Sequence, residues 1–168
     1  MLVEKVRKIR IIALDIDGVL TDGHITLDVR GNEQKRIFCR DLDAIGIGER
    51  LGLEFMLVTG EDSVLVDVIA QRFGISSVIR GAKDKLAALM PLLDRGLLPE
   101  HVCYVGDSDR DAAAILWAGT GVAPADASAS AKAAADYVTA CRGGNGVLAE
   151  IVGMIARQTA ETASEAGC

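Results

Sequence analysis

Short apolar runs alternate with stretches whose apolar residues recur at three-to-four spacing, and this rhythm confines the chain to one class of fold. The runs at residues 10–16, 54–58, 77–80, 102–105, 121–123 and 137–138 predict strands. The stretches at 41–51, 63–73, 83–93, 109–117, 128–134 and 147–156 predict helices, with Pro91 interrupting the third. Strands that alternate with helices assemble into a mostly parallel sheet covered on both faces.

The expected architecture is therefore a Rossmann-like, three-layer α/β sandwich. The chain of 168 residues, 50% of them hydrophobic, is long enough for one domain with its own core. That domain is expected over residues 1–157, and residues 158–168, rich in Ala, Thr, Ser and Glu, are expected to form a flexible tail. Residues 24–38 break the α/β rhythm. Ile25 and Leu27, then Arg30-Gly31-Asn32, then Ile37 and Phe38 predict a β-hairpin flap.

A formal net charge of −6 argues against nucleic acid or an anionic membrane as the main partner. No apolar run reaches the ~20 residues of a membrane span, and Met1-Leu2-Val3-Glu4-Lys5 lacks a signal-peptide core, so a cytoplasmic location is expected. Cys39, Cys103, Cys141 and Cys168 form no CxxC pair and are expected to be free thiols. His24 and His101 are too few for an imidazole-based site, and structural roles are expected for both.

Chemistry-bearing residues gather where the predicted strands end. Asp15-Ile16-Asp17-Gly18 follows the apolar run Ile11-Ile12-Ala13-Leu14, which puts two carboxylates at one sheet edge. Thr59-Gly60 follows the second run and offers a hydroxyl and a backbone N–H to phosphate oxygens. Gly81-Ala82-Lys83-Asp84-Lys85 opens a helix with two lysines, and Gly106-Asp107-Ser108-Asp109-Arg110-Asp111 ends another strand in an acidic cluster. Ligands of open α/β sheets bind beyond the carboxyl ends of the strands, where these dispersed groups can converge.

The set resembles the haloacid dehalogenase phosphatase superfamily, whose four motifs appear in order at Asp15 to Gly23, Thr59-Gly60, Lys85 and Gly106 to Asp111. The resemblance implies that Asp15 is the nucleophile and Asp17 the general acid and base. It implies that Thr59 and Lys85 hold the transferring phosphoryl group. Asp15, the backbone carbonyl of Asp17, and Asp107 are implied to bind Mg2+, with Asp111 supporting the metal's waters. The chain between Asp15 and Thr59, and between Thr59 and Lys85, is too short for a cap domain. A capless site is expected to be closed by neighbouring subunits.

Among capless members the first motif, the hairpin, Arg40-Asp41 and the Arg142-Gly143-Gly144-Asn145-Gly146-Val147 loop look like the tetrameric phosphatases of 3-deoxy-2-keto sugar acids. Glu61 after Thr59-Gly60 resembles the branch acting on nonulosonate 9-phosphates, with Arg72 as its accompanying cation. The alternative branch acts on 3-deoxy-manno-octulosonate 8-phosphate and commonly has a basic residue there. Gly60, Arg40, Asp41 and Arg142 join Thr59, Glu61, Lys85 and Arg72 as substrate-binding candidates. Leu42 replaces the Gly of the family's Arg-Asp-Gly. Asp41 is equally read as a helix cap, and the Arg142 glycines equally as a turn before the last helix.

Rival readings fit the residues less well. An EF-hand loop would need ligands where Val19 and Thr26 stand and Gly where Leu20 stands. A non-catalytic phosphoacceptor or scaffold domain is the alternative of a different class, but a receiver domain carries its accepting Asp on a middle strand. No GxxxxGK[ST] is present, and Gly46-Ile47-Gly48 with Gly52 misses the dinucleotide spacing. Lys83 rivals Lys85, while Asp22 and Asp109 are read as solvated or capping residues.

Overall fold

The structure is a computed structural model and describes residues 2–166. A short helix α1 (Leu2–Val6) leads into β1 (Ile11–Leu14), which pairs in parallel with β4 (Glu54–Val58) on one side and β6 (Val102–Val105) on the other. With β5 (Ser77–Ile79), β7 (Thr120–Ala123) and β8 (Tyr137–Val138), the sheet runs β5-β4-β1-β6-β7-β8, and every neighbouring pair is parallel. The chain therefore winds outward from β1 in one direction and, after β5, crosses back to wind in the other. Such a reversal leaves a crevice beyond the carboxyl end of the central strand, and Asp15 is the first residue past that end.

The alternation of side chains along each strand builds two cores. Ile12, Leu14, Phe55, Leu57, Cys103 and Val105 face α2 (Cys39–Arg50), α3 (Val64–Phe73) and α8 (Val147–Ala166). Ile11, Ala13, Met56, Val58, Val102 and Tyr104 face α4 (Lys85–Leu89), α5 (Pro91–Asp94), α6 (Ala112–Trp117) and α7 (Ala129–Ala134). Because both faces are covered, β1 has no polar face and reads as an unbroken apolar run. The three-layer architecture is as expected from the sequence.

The details depart from expectation in four places. The hairpin strands are β2 (Thr26–Leu27) and β3 (Glu33–Gln34), so Ile37 and Phe38 lie past the ladder. Asp28 tightens the turn by accepting from the N–H groups of Arg30 and Asn32, which draws the pairing toward the tip. The helix expected over 83–93 divides into α4 and α5, with Pro91 as the first residue of the second, since Pro cannot donate the N–H that a continuous helix needs. The helix expected from 109 starts at Ala112, because Asp111 turns its carboxylate back onto the N–H and hydroxyl of Ser108. The last helix, expected to end at 156, runs on to Ala166 where a flexible tail was expected, through residues with good helical propensity. Residues 167 and 168 of that tail lie outside the described residues, as does Cys168 among the cysteines; Cys39, Cys103 and Cys141 are free thiols. Among the described residues, no helix is long and apolar enough to cross a membrane.

Candidate active site

Beyond Leu14 the chain cannot continue as a strand, because Asp15 folds its own carboxylate onto the following backbone. Its Oδ1 accepts from the Ile16 N–H at 2.7 Å and caps a wide turn, Ile16–Leu20, that closes through Thr21 N–H to the Ile16 carbonyl at 3.1 Å. Asp17 and Gly18 break the helical geometry inside this turn, Gly18 with φ +77°. A side chain at Gly18 would be strained there, and its Cβ would lie 2.0 Å from Asp107 Oδ2. The glycine of the first motif thus lets the loops after β1 and β6 close on each other.

Carboxylate oxygens of Asp15, Asp107 and Asp111 consequently lie within 4.8 Å of one another. Lys85, only 2% exposed, reaches this cluster from the first turn of α4. Its Nζ stands 2.9 Å from Asp15 Oδ2 and 3.8 Å from Asp111 Oδ1, and donates to the Val58 carbonyl at 2.6 Å. Lys83 is exposed and does not line the cleft. The loop that delivers Lys85 is fixed to the second motif by Ala82 N–H to the Thr59 carbonyl at 2.9 Å.

One ammonium does not balance three carboxylates, two of them buried and Asp107 half-buried. Burial pushes Asp15 up to about 6, against the pull of Lys85 and with a further push from Asp111. Burial, then Asp15 and Asp111, push Asp107 up to about 7. Asp111 is the best satisfied of the three: Tyr104 Oη donates to its Oδ1 at 2.7 Å, and Ser108 N–H and Oγ donate to its Oδ2 at 3.0 and 2.6 Å. An all-oxygen cluster with surplus negative charge has the donor chemistry of a hard divalent cation, with Asp15 and Asp107 the freer ligands and Asp111 their support.

The cleft above the cluster has a volume of about 290 Å³ and is lined by Asp15, Asp17, Gly23, Thr59, Gly60, Glu61, Lys85, Asp107, Ser108 and Arg110. The candidates at the four strand ends thus share one cavity. The Asp17 side chain is not part of the acidic cluster, and its two oxygens lie 2.8 and 2.9 Å from Lys35 Nζ. Lys35 also bonds Glu61, which takes the Ser63 hydroxyl on its other oxygen. Desolvation disfavours the Lys35 charge, but its bonds to Asp17 and Glu61 outweigh it and raise the ammonium above its ordinary range. Sequence reasoning missed Lys35 and gave Arg110 no role; the usable signal was a lysine in the predicted flap beside an acidic loop.

Several substrate-binding candidates lie elsewhere. Asp41 is wholly buried, outside the cleft lining, and accepts from the N–H groups of Gly146 at 3.2 Å and Ala149 at 2.9 Å, so it caps α8 and not its own helix. Arg40 is exposed with its guanidinium 6.0 Å from the Phe38 ring centroid, and Arg72 is exposed on α3 outside the cleft lining. Arg142 pairs with Asp126 at 3.2 Å and borders a separate cleft of about 460 Å³ with His24, Arg36 and Phe38. Its neighbouring glycines do make a close approach, but to protein: a Cβ on Gly143 would lie 2.1 Å from the Gly18 carbonyl.

The family model for haloacid dehalogenase-like hydrolases matches residues 61–151, more than half of the chain. The chain belongs to the haloacid dehalogenase-like hydrolases. It is 35% identical over 154 residues to the 3-deoxy-D-manno-octulosonate 8-phosphate phosphatase KdsC of Escherichia coli K12, covering 91% of this chain and 82% of that one. A Moraxella catarrhalis 3-deoxy-D-manno-octulosonate 8-phosphate phosphatase, solved with magnesium, phosphate and KDO, superposes with a TM-score of 0.89 at 32% identity, covering 97% of each chain. The cobalt-bound deoxy-D-mannose-octulosonate 8-phosphate phosphatase of Haemophilus influenzae gives 0.87 at 30% identity, covering 93% of this chain and 92% of that one. This haloacid dehalogenase-like chain is a capless phosphatase, a phosphoric monoester hydrolase.

Proposed function

We propose that the protein is a Mg2+-dependent phosphatase that removes the terminal phosphate from a 2-keto-3-deoxy sugar acid, with 3-deoxy-manno-octulosonate 8-phosphate as the leading substrate. The convergence of Asp15, Asp107, Lys85 and Thr59 on one cleft carries the reaction class. The octulosonate phosphatases among its relatives support the substrate.

In this reading a carboxylate oxygen of Asp15 attacks phosphorus, the bond from phosphorus to the sugar oxygen breaks, and the Asp17 carboxyl gives its proton to the leaving oxygen. A water then loses its proton to Asp17 and attacks the aspartyl-phosphate, which releases inorganic phosphate and restores Asp15. Thr59 and the Gly60 backbone hold the phosphoryl oxygens, while Lys85 draws the negative charge of the ester toward Asp15. Asp15, the Asp17 backbone carbonyl and Asp107 would hold Mg2+, which when bound would supply positive charge to keep these carboxylates ionised and to offset an anionic nucleophile meeting an anionic ester. Lys35 holds the Asp17 carboxylate in position.

Glu61 favours a second substrate reading, a nonulosonate 9-phosphate, because an acidic residue follows Thr59-Gly60 and is fixed there by Lys35 and Ser63. The site is open as a monomer, and the exposed Ile25, Leu27 and Val29 of the hairpin give an apolar surface for neighbouring copies. A cytoplasmic homotetramer closing its own sites fits both readings. Comparing kcat/KM for octulosonate 8-phosphate and nonulosonate 9-phosphates tests the choice: a preference for the eight-carbon acid is expected, and a clear preference for the nine-carbon acid would replace it.

A further inference from the structure

The cations of the active cleft are committed to partners, with one exception. Lys85 is bound by Asp15 and the Val58 carbonyl, and Lys35 by Asp17 and Glu61. Arg110 lines the same cleft, and among the described residues it makes no hydrogen bond or ion pair. The carboxylates beside it in sequence are already occupied, Asp109 by Ser130 and Asp111 by Tyr104 and Ser108. By contrast, the arginines of the larger neighbouring cleft are both paired, Arg36 with Asp22 and Arg142 with Asp126.

The backbone under Arg110 is fixed although its side chain is not engaged. Ser128 N–H donates to the Asp107 carbonyl at 2.7 Å, and Asp111 N–H to the Ser108 carbonyl at 3.0 Å. An exposed guanidinium on a pinned turn is pre-oriented for an anion, with less ordering to lose on binding than a mobile loop would have. Its position decides which anion. Lys85 and Thr59 are buried at the floor of the cleft, where the phosphate meets Asp15, whereas Arg110 is exposed at the rim. A substrate with its phosphate on the floor directs the far end of its carbon chain outward.

We propose that Arg110 is a substrate-binding residue whose guanidinium receives the carboxylate of the sugar acid. The assignment rests on the proposed function, since it needs a substrate with a second anionic group remote from the phosphate. The planar fork of an arginine matches a carboxylate through two parallel N–H···O bonds, a geometry that lysine cannot reproduce.

The test compares two esters that share the phosphate but not the carboxylate: octulosonate 8-phosphate and p-nitrophenyl phosphate, each with wild type, Arg110→Ala and Arg110→Lys in saturating Mg2+. Arg110→Ala is expected to raise KM for the sugar acid phosphate about 10- to 100-fold, the worth of a charge-assisted pair, while KM and kcat for p-nitrophenyl phosphate stay within about twofold. Arg110→Lys is expected to fall between. Equal losses on both esters would place the guanidinium on the phosphate and overturn the assignment, as would an unchanged KM for the sugar acid phosphate in Arg110→Ala. A wild-type enzyme that hydrolysed p-nitrophenyl phosphate but no sugar acid phosphate, of eight or nine carbons, would overturn the substrate reading and this assignment with it.

Discussion

Asp15 and Asp41 are both buried aspartates, yet their surroundings assign them opposite tasks. Asp15 shares its cluster with two carboxylates and one ammonium, so its charge is under-compensated and available to a cation or to phosphorus. Asp41 spends both oxygens on the first turn of α8. Asp15→Asn is expected to reduce turnover by several orders of magnitude without lowering the unfolding midpoint, because a neutral amide cannot attack phosphorus. Asp41→Ala is expected to lower stability by about 2–4 kcal/mol in urea titrations, leaving buried donors without an acceptor, with p-nitrophenyl phosphate turnover kept below the transition. At this scale the cluster was legible in the sequence because each member directly follows an apolar run. The partner of Asp41 was not, since it lies more than a hundred residues away and depends on how α2 and α8 pack.

The elements around the cleft work by closing on one another, and the hairpin does so through Lys35. That side chain crosses from beside β3 to the loop after β1 and the loop after β4, tying a flap to two strands that it does not pair with. Lys35→Met would leave Asp17 and Glu61 facing each other without a cation. The expected result is faster amide exchange across β2 and β3 and a loss of about 10- to 100-fold in kcat/KM, as positioning losses near reacting groups commonly produce. Unchanged exchange would show that the flap is held by other contacts. The presence of the hairpin could be read from Arg30-Gly31-Asn32 breaking the α/β rhythm. The direction of Lys35 could not, because a lysine in a flap carries no periodic signal and its partners lie on two other segments. The longer last helix was hidden for a related reason: an Ala- and Glu-rich stretch with little to bury reads as a tail, although its helical propensity is high.

At the scale of the molecule, the sheet order places one functional rim on an otherwise uniform sandwich, and that rim stores unfavourable charge. Burial pushes Asp15 up to about 6 and Asp107 up to about 7 from the ordinary 3.8, so from about pH 4 to pH 7 the metal-free fold binds more protons than the unfolded chain. The contribution of these groups to stability is therefore expected to fall as pH rises from about 4 to 7. Thermal unfolding of the metal-free protein should show that loss, Asp107→Asn should flatten it, and added Mg2+ should stabilise more at pH 8 than at pH 5. A Mg2+ effect of equal size at both pH values would argue against the acidic cluster as the binding site. The parallel topology was readable from alternation alone, since apolar runs buried on both faces leave few other arrangements.

The most direct test of the account is to trap the protein during turnover. Wild type mixed with octulosonate 8-phosphate and Mg2+, quenched in acid within the first turnovers and mapped by peptide mass, is predicted to carry phosphate on Asp15, with none in Asp15→Asn. Rapid release of inorganic phosphate with Asp15 unmodified at every quench time, or normal turnover by Asp15→Asn, would contradict it.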